Sequence, residues 1–258
     1  MKVVILAGGF GTRIREESGD RPKPMVEIGG KPILWHIMNI YKHYNHTDFI
    51  IALGYKGNLI KEYFTHYGIY NYDLQIARTN NMEPQIYTID DDEIPFNLTL
   101  ANTGEFTQTG GRLKKIQRFL DDKTFLVTYG DGVTDANIND VIKFHQKKGK
   151  LATMLAPSVP SGFGIVDMDK SGNVKDFAEK KHHNIHINGG YFVLEPKVFD
   201  YIKNDDTSWE FDCLTELVKD KELNAYKYEG FWKCMDSPKD KIELDKMWNE
   251  NRAPWKIW

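Results

Sequence analysis

Cysteine is almost missing from this chain: Cys213 and Cys234 are the two present in 258 residues. They have neither the density of a disulfide-built secreted scaffold nor the Cys-x-x-Cys spacing of a zinc or redox site, and both are expected to be reduced. No apolar run approaches the roughly 20 residues of a membrane helix. Met1-Lys2 leads into a strand pattern instead of a signal peptide's apolar stretch, so a cytoplasmic protein without a membrane partner is expected. Excess charge of either sign is also lacking. With 34 basic and 37 acidic side chains the net charge is −3, which offers no field to hold a nucleic acid polymer. Internal repeats, low-complexity tracts and long linkers are absent, so residues 1–258 are expected to form a single domain. Two familiar glycine loops are missing as well. Nothing reads Gly-x-x-x-x-Gly-Lys-Ser/Thr, and Gly9-Phe10-Gly11 is followed by Thr12, Arg13 and Ile14, which breaks the dinucleotide pattern Gly-x-Gly-x-x-Gly.

What is present begins at once. Val3-Val4-Ile5-Leu6 is a buried-strand pattern that runs into Ala7-Gly8-Gly9-Phe10-Gly11-Thr12-Arg13. Glycines let the backbone take positive φ and let an anion approach the loop N–H groups without a Cβ in the way. Arg13 adds a forked positive charge to that loop. Further on, Arg21-Pro22-Lys23-Pro24 sets one lysine between two prolines, whose fixed φ stiffens the segment that presents it.

Apolar runs of strand length alternate with helix-period segments, the pattern of crossover units feeding a mostly parallel sheet. Val3 to Leu6, Phe49 to Leu53, Leu74 to Ala77, Phe125 to Thr128 and Ala152 to Ala156 read as strands. Helices are expected over Pro32 to Tyr44, Asn58 to Tyr67 with an Asn cap, from Asn137 or Asn139 through Lys147, and Pro238 to about Asn249. Gly164 to Met168 and Val174 to Phe177 flank the turn Asp169 to Asn173, which predicts an antiparallel insertion within about 160–190. Tyr191 to Leu194 reads as a buried strand, and Asn224 to Tyr228 and Phe231 to Lys233 as short ones. Thr79 to Thr109 has weak periodicity and is expected to be an irregular excursion. The loops after Leu6 and after Thr128 both leave the carboxyl ends of strands, where ligands of such sheets bind, and they are expected to meet across one crevice.

Leu6 to Arg13 together with Pro22-Lys23-Pro24-Met25 resembles the signature of the sugar-1-phosphate nucleotidylyltransferases. Gly29 to Met38, Gly54-Tyr55-Lys56-Gly57, Thr109 to Lys114, Thr128 to Val133 and Ala253 to Lys256 extend the likeness to the branch that uses CTP and glucose 1-phosphate. The resemblance implies a Rossmann-like α/β fold of the nucleotide-diphospho-sugar transferase type, a Mg²⁺ cofactor, a homo-oligomer, and a product destined for the deoxysugars of surface polysaccharides. It also implies roles for particular residues. Arg13 and Lys23 hold the reacting phosphates, and Asp131 joins them in catalysis. Leu6, Ala7, Gly8, Gly9, Phe10, Gly11, Thr12, Gly104, Thr109, Gly110, Gly111, Arg112, Thr128 and Gly130 bind the nucleotide. Tyr129, Glu179, Lys180, Asn188 and Gly189 take the sugar phosphate.

Asp131, set between glycines just past a strand, is the first metal ligand, and Mg²⁺ commonly takes one or two carboxylates. Asp236 matches the family's second ligand, although an aspartate shortly before Pro238 also reads as a helix cap. Lys181 and Gly162 depart from the family, which carries a proline and an arginine there, and leave the acceptor open to another sugar or polyol phosphate. A sensor that binds the nucleotide without turnover is a further reading, against which Arg13, Lys23, Asp131 and Asp236 are all present. His182, His183 and His186 read as a solvated loop, and Trp248, Trp255 and Trp258 as packing or a subunit contact.

Overall fold

A computed structural model of the chain describes residues 1–11, 21–77, 85–89, 95–160, 165–178 and 184–258. Its organising strand is β1, Lys2–Ala7. Val3, Val4 and Ile5 are wholly buried, because the sheet is covered on both faces and a central parallel strand must be apolar throughout. Val3, Ile5 and Ala7 face one apolar layer with Ile37, Tyr41 and Val141. Val4 and Leu6 face a second with Leu113, Val127 and Trp209.

β1 pairs in parallel with β2, Asp48–Leu53, and β2 with β3, Asn97–Asn102. On its other side β1 pairs in parallel with β4, Phe125–Tyr129. Beyond β4 comes the antiparallel β7, Tyr191–Leu194, and then β5, Ala152–Pro160. The parallel β8, Leu223–Tyr228, lies along β5, and β6, Asn184–His186, closes on the far end of β5. Between strands run α1, Ile33–His43, α2, Gly57–Thr65, α3, Thr109–Ile116, and α4, Ile138–Lys148. The expected mostly parallel α/β sheet flanked by helices is what forms, with the inserted hairpin at Ile165–Met168 and Val174–Ala178. Among the described residues no helix is long and apolar enough to cross a membrane.

Local signals fared well where one side chain decides an end. Asn137 accepts from the Asn139 and Asp140 N–H groups to open α4, and Gly149 closes it at φ 61°. α5, Pro238–Asn249, starts with a reciprocal Ser237/Asp240 capping box. Three expectations need correction. α2 begins after Lys56, at φ 50°, and Asn58 is not its cap; a tight turn from Gly54 O to the Gly57 N–H starts the helix early. Leu74 to Ala77 does not feed the sheet but pairs antiparallel with Gln85–Ile89. Inside the supposed irregular excursion, Asn97–Asn102 is an edge strand, whose sparse apolar content reflects covering on fewer sides.

The aromatic tail packs inward. Trp255 is fully buried, and its Nε1–H donates to His36 Nδ1 at 3.3 Å, which leaves the other ring nitrogen to donate to Ile28 O at 2.9 Å. Trp248 meets the His36 ring edge-on at 4.6 Å. Burial holds the imidazole down to about 4, with Lys256 adding to the effect against the pull of Asp245 and the backbone acceptors. The folded chain therefore keeps His36 neutral where an unfolded one protonates it. Below pH ~6.5 the unfolded state binds the extra proton, so stability is complete above that pH and declines toward pH ~4. This one group is expected to remove about 2 kcal/mol between pH 7 and pH 5. Urea denaturation at the two pH values in wild type and His36→Gln checks it: the variant is expected to lose that share of the difference, while His46, likewise held down to about 4 by burial and the N-terminal charge, keeps its own.

Candidate active site

Strand order reverses at β1, with β2 and β3 on one side and β4 on the other, and a sheet of this kind opens a crevice at such a point. Leu6, Ala7, Gly8, Gly9 and Gly11 from the first loop and Tyr129, Gly130 and Asp131 from the fourth strand line a cleft of about 220 Å³ there, with Lys23, Pro24, Thr109, Arg112 and Glu210. The Gly130 N–H donates to Leu6 O at 3.1 Å and ties the two loops together. A larger hollow of about 650 Å³ sits beside Met1, Lys2, Asp48 and Phe125, at the amino ends of the strands, and holds no glycine loop.

Lys23 projects into the cleft from a single 3₁₀ turn, Lys23–Met25, that follows Pro22. Its Nζ lies 2.7 Å from Asp131 Oδ2 and also bonds Asp236. Burial works against its charge, but Asp131 and Asp236 outweigh that and hold the ammonium protonated above the ordinary lysine range. Asp236 reaches Asp131 because the short strands Gly132–Thr134 and Trp232–Cys234 pair antiparallel and the Met235 N–H donates to Asp131 O at 2.9 Å. The capping reading of Asp236 gives way here, since Ser237 caps α5. Asp131, Cys234 and Asp236 offer ligand atoms within 4.8 Å of one another. Burial and Asp131 push the Cys234 thiol up, which keeps it neutral. Two carboxylates suit a hard divalent cation such as Mg²⁺, and a neutral thiol does not add to that set.

Arg112 is 4% exposed, and its two Nη atoms donate to Gly8 O, Leu53 O, Thr103 Oγ1, Gly104 O and Glu105 O. Those acceptors come from the ends of β1, β2 and β3. A Cβ at Gly8 or Gly54 would run into the guanidinium, so glycine there serves close approach. Among the described residues no carboxylate pairs with Arg112, and burial lowers its pKa.

On the cleft's other flank Tyr129 Oη donates to Glu210 Oε1 at 2.5 Å and accepts from Asn188 Nδ2 at 3.2 Å. Thr109 Oγ1 donates to Glu210 Oε2 at 2.6 Å. Burial first, then Glu210, raises the Tyr129 phenol far above its usual range.

Some expected residues are not described, and others are placed away from phosphate-facing positions. Thr12, Arg13, Glu179 and Lys180, with Gly162, Lys181, His182 and His183, fall outside the described residues. Thr128 is wholly buried in β4. Phe10 is exposed and packs 5.2 Å from Tyr55. Gly110 and Gly111 abut the Thr207 and Asp205 backbone, and Gly189 O accepts from Trp232. Glu210 and Pro24 were not expected from sequence. Glu210 sits on a five-residue π-helix, Trp209–Cys213, an element that marks functional sites but has no sequence motif.

A glycine loop, a half-buried lysine and two carboxylates at the reversal point define a phosphate-handling transferase, and the chain belongs to the nucleotidyl transferase family, whose profile matches residues 2–245. Within that family it is 48% identical to the glucose-1-phosphate cytidylyltransferase of Salmonella typhimurium, over 100% of both chains. It is 30% identical to the mannose-1-phosphate guanyltransferase of Debaryomyces hansenii, over 93% of this chain and 62% of that one. The crystal structure of HddC from Yersinia pseudotuberculosis complexed with GMP-PN superimposes with a TM-score of 0.67 at 24% identity, covering 96% of this chain and 99% of the other, a likeness of fold.

Proposed function

We propose that the chain transfers a cytidylyl group from CTP to α-D-glucose 1-phosphate, giving CDP-glucose and pyrophosphate, as a cytoplasmic homo-oligomer early in the synthesis of surface-polysaccharide deoxysugars. The observation that carries the chemistry is Lys23 held between Asp131 and Asp236 at the strand-order reversal. Cytosine and glucose rest on the full-length relative at 48% identity.

A phosphate oxygen of the sugar phosphate attacks the α-phosphorus of CTP, and the bond from that phosphorus to the bridging oxygen breaks as pyrophosphate leaves. The attacking group is already an anion, so the work of the site is to align two repelling phosphates and neutralise the charge that accumulates. The loop Gly8 to Gly11 offers backbone N–H groups to the triphosphate. Lys23 reaches the α-phosphate, and Arg13 takes the leaving β- and γ-phosphates. Lys180 and Glu179 take the acceptor's phosphate and hydroxyls beside Asn188. Asp131 and Asp236 would hold Mg²⁺, which when bound neutralises phosphate charge as a Lewis acid.

Pyrophosphate release measured across four nucleoside triphosphates and a panel of sugar phosphates tests this. Preference for CTP with glucose 1-phosphate is expected, with activity lost on chelation and restored by Mg²⁺. Preference for UTP or dTTP overturns the base, and turnover with a different acceptor overturns glucose. Gly162 and Lys181, which depart from the family at the sugar end, are the reason to include other sugar and polyol phosphates in the panel.

A further inference from the structure

Three hydroxyl protons converge on the Glu210 carboxylate: Tyr129 Oη at 2.5 Å on one oxygen, and Thr109 Oγ1 at 2.6 Å with Ser208 Oγ at 3.0 Å on the other. A carboxylate accepts and does not donate. Tyr129 already accepts from Asn188 Nδ2, one of the residues expected to take the sugar phosphate. Asn188 is held in turn by the Gly190 N–H, which donates to its Oδ1 at 2.9 Å; this bond fixes the amide so that its nitrogen faces the phenol. The Tyr129 proton is thus spent on Glu210. One lone pair of its oxygen is spent on Asn188, and what remains unspent on Tyr129, a residue that lines the cleft, is a second lone pair.

We infer that Glu210 is a positioning residue that sets the polarity of Tyr129, making its hydroxyl an acceptor in the cleft and so selecting an acceptor sugar that presents a hydroxyl donor there. The inference rests on the functional reading above and deepens its sugar end. Thr109 and Ser208 hold the carboxylate in place. Thr109 Oγ1 accepts from the Trp209 N–H at 2.9 Å, and Ser208 Oγ from the Phe211 N–H at 3.2 Å, so both hydroxyls also point their protons one way. The π-helix Trp209–Cys213 brings Glu210 beside Thr109, at the start of helix α3, and Tyr129, at the end of strand β4. A sugar whose hydroxyl is replaced by fluorine keeps its size but loses the proton, and this arrangement has no donor to offer it.

Glu210→Gln leaves shape nearly unchanged and alters polarity. The amide's single carbonyl serves best where two hydroxyls converge, on the Thr109 and Ser208 side, which turns its NH₂ to Tyr129. The tyrosine then accepts from the amide, and its own proton is released into the cleft.

The experiment compares kcat/KM for the sugar phosphate that the wild-type chain turns over with its 2-, 3-, 4- and 6-deoxyfluoro analogues, with CTP saturating. In the wild type, fluorine at one position is expected to cost about tenfold or more. That penalty is expected to shrink by about tenfold in Glu210→Gln and in Tyr129→Phe, while penalties at the other positions and the KM for CTP hold within about twofold. A role in packing alone lowers every substrate alike. Equal losses across the series, or a wild type indifferent to fluorine at all four positions, overturn the inference while leaving cytidylyl transfer standing. If Glu210→Gln fails to fold, Tyr129→Phe reads the same penalty by itself, and its unchanged value overturns the inference. A wild type that turns over no sugar phosphate overturns the functional reading, and this inference with it.

Discussion

Replacing Lys23 by methionine is expected to lower kcat/KM by about 10³-fold, with most of the loss in kcat. Methionine keeps an unbranched apolar stem, so the contacts that the lysine chain makes beside Gly11 survive and the fold is retained. What disappears is an ammonium bonded to both Asp131 and Asp236. Two consequences follow from its removal. In the proposed reaction the α-phosphate loses a cation whose help grows as the transition state gains charge, and two neighbouring carboxylates are left facing each other without it. Arginine is not expected to restore turnover, because its planar fork is larger and directs its donors differently from a compact ammonium. Pyrophosphate release under saturating substrates, alongside thermal denaturation, checks the prediction. Activity within tenfold of wild type in the methionine variant would remove Lys23 from the catalytic centre.

Arg112→Met is expected to be the most destabilising single change at the site, costing about 3–5 kcal/mol and raising the KM for CTP by tenfold or more. The reason lies in its bonding. Five oxygen acceptors from three strand ends share one guanidinium; Leu53 O keeps the Thr103 N–H and hydroxyl and Gly104 and Glu105 are exposed, so the buried loss falls on Gly8 O and Thr103 Oγ1. Because one of them is Gly8 O in the nucleotide loop, the loss of stability and the loss of affinity have the same origin. Arg112→Lys is expected to recover less than half of the stability, since an ammonium cannot span acceptors on both arms of a fork. Urea denaturation gives the first quantity, and titration with CTP gives the second. Full recovery by lysine would show that charge, and not fork geometry, holds the loops.

Arg112 also shows where reading a sequence stops. A loop Thr109-Gly110-Gly111-Arg112 opening a helix signals nucleotide contacts, and the helix does open at Thr109 beside the cleft. The arginine, while lining the cleft, also gives its donors to four carbonyls and the Thr103 hydroxyl, and the Thr207 and Asp205 backbone lies against Gly110 and Gly111. Residue type and spacing were legible, but the direction of the side chain was not. Glu210 is the opposite case, a residue with no local pattern that the π-helix delivers to the cleft.

By itself the sequence determined the central strand, the glycine loop that follows it, the stiffened lysine between prolines, the capped helices α4 and α5, and the strand-end aspartate. Each of these depends on a few adjacent residues whose backbone preferences and burial act locally. The tertiary structure alone decided which distant groups meet. Asp236 stands beside Asp131 through a three-residue antiparallel ladder, Asn97–Asn102 becomes an edge strand by pairing with β2, and three hydroxyl protons gather on Glu210. Such meetings are set by strand order and by the closing of long loops. No short window of sequence carries that information, because the free energy that selects each contact comes from surfaces brought together across the whole sheet.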